Sequence, residues 1–197
     1  IKKVYGGVTV TDIQDKRQVI PFEERHAKNE LEKAAIAKKA ASCVEENDLI
    51  YIDSGTTCTG MVEHLSGRKC TIITNSLQVL MKTLSYPELT VFSLPGKLKR
   101  ETMSLAGNDV VNYLQTYNIH KAFMACTGIT IKSGLTNATM EEHVVKKAMV
   151  ENSHKIYVLA DHTKFGVVSM LTYSPLSNID SLITDQAPAD EYSQFCR

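Results

Sequence analysis

The sequence predicts an α/β domain with a mostly parallel sheet flanked by helices. Three observations carry that expectation. Short, continuous apolar runs recur along the chain, as strands covered on both faces require. Segments of helical spacing separate them, and alternating β and α units imply parallel strands joined by crossovers. Five of the runs are followed by small or polar turns that would share one edge of the sheet, the edge at which open α/β sheets bind ligands.

Taken in order, residues 1–24 show weak periodicity, are broken by Gly6-Gly7 and Pro21, and read as a linker ahead of a domain over 25–197. From Asn29 the pattern changes. Ile36, Ala40, Cys43 and Val44 fall on one helix face. Asn29 with Glu32 can cap its start, and Asn47-Asp48 ends it. Strands are expected at 49–53, 70–74, 90–94, 122–126, 156–160 and 181–184. Helices are expected at 57–65, 77–84, 109–117 and 140–152. The polar tail 186–197 reads as a short helix or a frayed end.

Composition narrows the function classes. A chain of 197 residues that is 43% apolar suits one domain with a real core. Its 22 basic and 22 acidic side chains cancel, which argues against a nucleic-acid surface spread over these residues. No apolar run reaches the length of a membrane span, and no signal peptide opens the chain. Ile1 reads as an internal starting point. The five cysteines (Cys43, Cys58, Cys70, Cys126 and Cys196) are odd in number and form no Cys-x-x-Cys pair, as in a reduced, cytoplasmic chain. The histidines lack metal-ligand spacing. Neither a Walker A loop nor a Gly-x-Gly-x-x-Gly fingerprint occurs, so neither nucleotide hydrolysis nor NAD is expected, and no cofactor is assigned.

The strand-end turns hold the candidate site. Asp53 closes the run 49–53, where its carboxylate can either accept from sugar hydroxyls or brace the turn. Ser54-Gly55-Thr56-Thr57 leads into helical spacing, so its N–H and O–H groups can meet an anion or simply cap the helix. Thr74-Asn75-Ser76 repeats that chemistry at the next strand end, and Pro95-Gly96-Lys97, Thr127-Gly128 and Asp161-His162-Thr163-Lys164 occupy the others. Glu142 and Lys146 share a helix face, with Thr139-x-x-Glu142 as a capping box; they either pair on the surface or turn into the crevice. Lys164 offers a point charge suited to phosphate, and Phe165 reads as a packing anchor. The basic stretch 97–101 reads as a solvated loop, or as a lid over an anion.

Eight stretches in this order resemble the effector-sensing domain of DeoR-family bacterial transcriptional repressors. They are Tyr5-Gly6-Gly7, Asn29-x-x-Glu32-Lys33-x-x-Ile36-Ala37, Asp53-Ser54-Gly55-Thr56-Thr57, Thr74-Asn75-Ser76, Gly134-Leu135-Thr136, Glu142-x-x-x-Lys146-x-Ala148-Met149, Asp161-His162-Thr163-Lys164-Phe165-Gly166 and Ile183-Thr184-Asp185. The resemblance implies a fold similar to ribose-5-phosphate isomerase, a phosphorylated sugar or sugar metabolite as effector, and a homodimer or homotetramer. DNA would be read only through a helix-turn-helix absent from these residues. By position it places Asp53 and Ser54–Thr57 at the phosphate end, with Asn75 and Ser76 beside them. Gly96, Gly128, Gly134, Leu135 and Thr136 would shape the crevice; Glu142, Lys146, Asp161 and Lys164 would contact hydroxyls or phosphate. Two positions depart from the family pattern: Pro95-Gly96 replaces Gly-Gly, and Cys126-Thr127-Gly128 replaces Ala-Asp-Gly.

The resulting expectation is a non-enzymatic phosphosugar sensor that represses carbohydrate-metabolism genes. The alternative is an aldose–ketose sugar-phosphate isomerase, with Asp53, Glu142 or Asp161 as base and Lys164 facing the oxyanion. The isomerase's Asp-Gly-Ala-Asp-Glu and Lys-Gly-Gly-Gly-Gly signatures are absent.

Overall fold

Along the chain, a computed structural model forms β1 (Lys2–Val4), β2 (Gly7–Thr9), α1 (Phe22–His26), α2 (Glu30–Ala41), β3 (Leu49–Ile52), α3 (Thr56–Thr59) and β4 (Thr71–Thr74). There follow α4 (Leu77–Thr83), β5 (Thr90–Ser93), β6 (Lys97–Lys99), β7 (Ser104–Ala106), α5 (Asn108–Leu114) and β8 (Ile119–Ala125). The last elements are β9 (Gly128–Thr130), β10 (Gly134–Asn137), α6 (Met140–Glu151), β11 (Ser153–Leu159), β12 (Leu171–Ser174) and β13 (Ser181–Ile183). The structure describes residues 2–4, 7–9 and 20–195. Tyr5-Gly6, most of the 1–24 segment and Cys196 lie outside the described residues.

The central sheet has six strands in the order β13-β11-β8-β3-β4-β5, every pair parallel. All six expected strands are in it. Its chemistry is that of a doubly covered sheet: Ile50, Tyr51, Ile52, Ile72, Ile73, Phe123 and Met124 are wholly buried, so apolar residues stand on both faces and no alternation remains. One core lies against each face. Ile36, Ala40, Met61 and Val62 pack on Ile50, Ile52 and Ile72; Val110, Leu114, Val145 and Met149 pack on Tyr51, Ile73 and Met124.

The chain moves outward from β3 through β4 to β5, then returns to lay β8 on the other side of β3 and continues through β11 to β13. The direction of winding reverses between β3 and β8, and the loops leaving those two strands diverge. Such a switch point leaves a crevice at the carboxyl ends.

Several local expectations change. The helix expected over 57–65 is one α turn at Thr56–Thr59 followed by a 3₁₀ stretch, Gly60–His64. Asn29 does precede α2 but adopts a left-handed conformation (φ 53°) without a side-chain cap bond, so it turns the chain rather than capping it. Residues 97–101 are solvent-exposed except Lys99 but are not wholly a loop: β6 pairs with β7 in an antiparallel hairpin whose turn begins at Arg100, and Lys99 reaches Glu141 at 3.0 Å. A second small sheet, β12-β10-β9, is antiparallel. In the tail, a 3₁₀ helix at Asp190–Phe195 buries Tyr192, which meets Phe165 edge-on at 5.1 Å. Phe165 is thus a packing anchor.

Candidate functional site

A cavity of about 580 Å³ opens at the carboxyl ends of β3, β8 and β11. Gly55, Thr56 and Thr57 leave β3; Ala125, Cys126 and Thr127 leave β8; Asp161, Thr163 and Lys164 leave β11. Glu142 reaches it from α6, Thr102 from the β6–β7 turn, and Glu24, Arg25, Lys28 and Asn29 from α1 and the turn after it. The wall is therefore polar and of mixed charge, with the sheet's apolar core beneath.

Gly55 makes the loop geometry possible. A Cβ there would lie 2.2 Å from the Ala125 Cβ, so any side chain would push the β3 loop away from β8. The N-cap of α3 is Gly55, which has no side chain to satisfy the first turn. The N–H groups that open a helix have no partner within it, and the residues at this helix start, Gly55, Thr56 and Thr57, line the cavity.

Beneath the wall is a closed network. Asp53 Oδ2 accepts from the Ala125 N–H at 2.9 Å and from Lys146; Asp53 Oδ1 accepts from the Ser54 N–H at 2.9 Å. Lys146 also donates to the Ala125 carbonyl at 2.9 Å, and its ammonium lies 5.6 Å from the Tyr173 ring centroid. Tyr173 donates to that same carbonyl at 3.0 Å. Tyr51 donates to Asn75 Oδ1 at 2.8 Å, and Asn75 donates onward to the Leu105 carbonyl at 2.8 Å. Burial alone would push the Lys146 ammonium down, but the Asp53 carboxylate, then Glu142, outweigh it and hold it above its ordinary value. Burial, reinforced by Asp53, drives the Tyr51 phenol well up, so it stays a donor. Burial likewise pushes the Cys126 thiol up to about 12, against the pull of Lys164 and Lys146, which leaves it an un-ionised group on the wall.

The sequence-derived residues divide accordingly. Gly55, Thr56, Thr57, Glu142, Asp161 and Lys164 come together on the wall. Asp53 and Lys146 lie directly behind it, 1% and 5% exposed and engaged with each other; Lys146 does not pair with Glu142 on the surface. Ser54 and Asn75 are buried in the same layer. Ser76 caps α4, accepting from the Val79 N–H at 3.3 Å. Gly96 lies at the base of the β6–β7 hairpin, against Ala106. Gly128, Gly134, Leu135 and Thr136 belong to the small antiparallel sheet, where Thr136 donates to the Gly128 carbonyl at 3.0 Å. Gly134, at φ 65° with Ser174 O only 2.2 Å from an added Cβ, serves a turn against a neighbouring strand. None of Ser54, Asn75, Ser76, Gly96 or this last group lines the cavity; Asn75 is held inside by Tyr51 and Leu105, and Thr136 by Gly128.

Glu142 keeps its capping role. Its N–H donates to Thr139 Oγ1 at 3.3 Å, and Thr139 donates back to Glu142 Oε2 at 3.1 Å. Asp161 accepts from the Thr163 N–H at 3.0 Å and from the Thr163 hydroxyl.

Sequence reasoning placed Thr127 and Thr163 in the strand-end turns without singling them out, and it missed Arg25, Lys28 and Lys33. Arg25 fell at a boundary drawn at residue 24, which lies within α1. A signal was present: Pro21 followed by Glu23 and Glu24 is a helix-start pattern, and Arg25 and His26 suit the last turn.

The family model described as the DeoR C terminal sensor domain matches residues 28–186, and the chain belongs to that family. It is 40% identical, over all 197 of its residues and 77% of the relative's length, to the HTH-type transcriptional regulator IolR of Bacillus subtilis. It is 37% identical to the HTH-type transcriptional repressor GlcR of the same species, over 80% of this chain and 60% of that protein. In fold it is similar to ribose 5-phosphate isomerase A of Methanocaldococcus jannaschii, with a TM-score of 0.52 and 19% identity over 70% of this chain and 55% of the isomerase.

Proposed function

We propose that this sensor domain binds a phosphorylated sugar or related sugar metabolite in the cavity between β3, β8 and β11. In this reading occupancy sets the DNA affinity of a helix-turn-helix reader on the same protein and so represses carbohydrate-metabolism genes. One observation carries it: at the switch point of the sheet, the uncapped start of α3, the Thr56 and Thr57 hydroxyls and Lys164 line the same cavity as the carboxylates of Glu142 and Asp161. Donors and a cation suit a phosphate, while carboxylates suit the hydroxyls of a sugar. A control of DNA affinity further requires that ligand favour one state of the whole protein over the other.

The domain is proposed to be a binder and not an isomerase. Proton transfer between neighbouring carbons needs a carboxylate or other base within reach of substrate. Asp53 is held by Lys146 and two backbone N–H groups behind the wall. Asp161 and Glu142 each commit one oxygen to a threonine and keep the other for a ligand hydroxyl, so turnover of a bound sugar phosphate decides between binding and proton transfer. The proposed assembly is a homodimer or homotetramer in the cytoplasm. In support, β5 is an edge strand of the sheet, and Phe92, Met81 and Leu84 on and near it are 41%, 62% and 84% exposed. No helix of the described residues is long and apolar enough to cross a membrane.

A thermal-shift panel of sugar phosphates tests the reading. A member present at about a hundred times its dissociation constant adds ~2.7 kcal/mol of stability. The expected outcome is a stabilising hit that is not isomerised and whose shift disappears in Thr56→Ala and Lys164→Ala. Turnover at enzyme-like rates would select the isomerase reading. A panel without a single shift would leave an assembly platform with an unused cavity.

A further inference from the structure

We infer that α1 is a strap across the effector cavity, and that Arg25 supplies its grip on an anionic effector group, so that occupancy fixes α1. The inference rests on the effector reading above and adds to it a ligand contact from outside the sheet loops.

Arg25 lines the cavity. Its Nε donates to the Ile20 carbonyl at 3.0 Å, and its guanidinium carbon lies 5.8 Å from the Phe22 ring centroid. Both contacts are within its own segment. Its Nη2 is buried and has no hydrogen-bond partner among the described residues. Neither Arg25 nor Lys164 has a carboxylate within ion-pair distance among the described residues. A buried N–H of a guanidinium without an acceptor is costly, and a ligand oxygen in the cavity would satisfy it. Burial lowers the Arg25 pKa, with Glu142 and Asp53 opposing, so the group is short of solvation while still cationic. An arginine presents two parallel donors to one phosphate or carboxylate, which a lysine cannot do.

The attachment of α1 is slender. It is a helix of five residues without a side-chain N-cap. Phe22 anchors one end, 4% exposed, with its N–H donating to the Glu101 carbonyl at 2.8 Å. Lys33 of α2 holds the other end, donating to the carbonyls of Arg25 and Lys28. A helix this short is not stable alone. An added contact from ligand to Arg25 is therefore a large fraction of what holds it.

The test uses the full 197-residue chain and a panel of sugar phosphates with inorganic phosphate as its simplest member. Affinity for the tightest binder is measured for the parent, Arg25→Gln, Arg25→Lys and Thr56→Ala, and amide hydrogen exchange over 20–29 is followed with and without it. The strap predicts at least a tenfold loss of affinity in R25Q, partial recovery in R25K, and ligand-dependent slowing of exchange at 22–26 that R25Q abolishes. The melting temperature without ligand separates this from misfolding, since R25Q should leave it within a few degrees. Unchanged affinity in R25Q beside a loss in T56A overturns the strap and leaves the effector site standing. Absence of any binder, or unchanged affinity in both variants, overturns the effector site and the strap with it.

Discussion

Lys121 and Asp48 pair at the end of the sheet where β3 begins; Lys146 and Asp53 pair where it ends. The two pairs share their chemistry. Each lysine also donates to a backbone carbonyl at 2.9 Å, that of Cys43 for Lys121 and that of Ala125 for Lys146. Each aspartate also accepts from a backbone N–H, Glu45 at 2.8 Å for Asp48 and Ala125 at 2.9 Å for Asp53. Their surroundings differ. Around Lys121 stand the side chains of Glu45 and His120, 81% and 47% exposed, so water is one layer away. Around Lys146 stand Tyr51, Tyr173 and the floor of the cavity. A buried ion pair is therefore not itself the mark of a site. The site is marked by the end of the sheet at which the loops diverge, and there the pair fixes the floor on which Gly55 and Ala125 meet.

The largest effect that could break this comparison is on stability. Lys146→Met leaves the Asp53 carboxylate buried without its cation and should cost about 3–5 kcal/mol. Lys121→Met leaves Asp48 with the Glu45 N–H and nearby water, and should cost about 1–3 kcal/mol. Urea unfolding of both variants measures the difference; equal losses would mean that the two ends are equally dry. Next comes Gly55→Ala. Its methyl group would collide with Ala125, and separating the loops should cost about 1–3 kcal/mol by the same measurement.

Smaller effects appear in pH dependence. The Lys146 and Lys121 ammonium groups both lie above their ordinary values, each held there by its aspartate against burial. A raised ammonium stabilises the fold fully below its unfolded value, near 10.5, and that contribution is lost as pH rises through the folded value. Unfolding against pH should show an alkaline limb that K146M and K121M each reduce. On the acid side, burial tends to raise the Asp48 carboxyl, but its bonds from Lys121 and the Glu45 N–H hold it below 3.8. Its contribution is present above that value and lost as pH falls through the folded one, so K121M should flatten the acid limb as well.

The smallest expected change lies on the loop that carries Asp161 and Lys164. His162 meets Asp185 at 2.7 Å, and that bond raises the imidazole above 6.5. An NMR titration should find His162 above its ordinary value and returning toward 6.5 in Asp185→Asn. The favourable contact exists below 6.5 and fades as pH rises through the raised value. A His162 titration unchanged by D185N would remove this contact from the account.

The amino-acid sequence by itself determined the six parallel strands and the end of the sheet at which to look. Those features are local: runs such as Leu49–Ile52 are apolar on both faces, and the residues that follow them are small or polar because turns need them. The capping of α6 by Thr139 was legible for the same reason, since its partner Glu142 is three residues away. Tertiary structure alone decided which polar groups face the cavity. Asp53 and Lys146 lie 93 residues apart, as partners rather than as two free contacts. Asn75 turns inward because Tyr51 and Leu105 receive it. Arg25 stands in the wall because Phe22 docks at Glu101 and Lys33 closes the turn behind it. Pattern along a chain reports whether a residue suits water or a core. Whether a polar group is consumed or left free depends on the partners that distant segments bring to it, and only the folded chain sets them side by side.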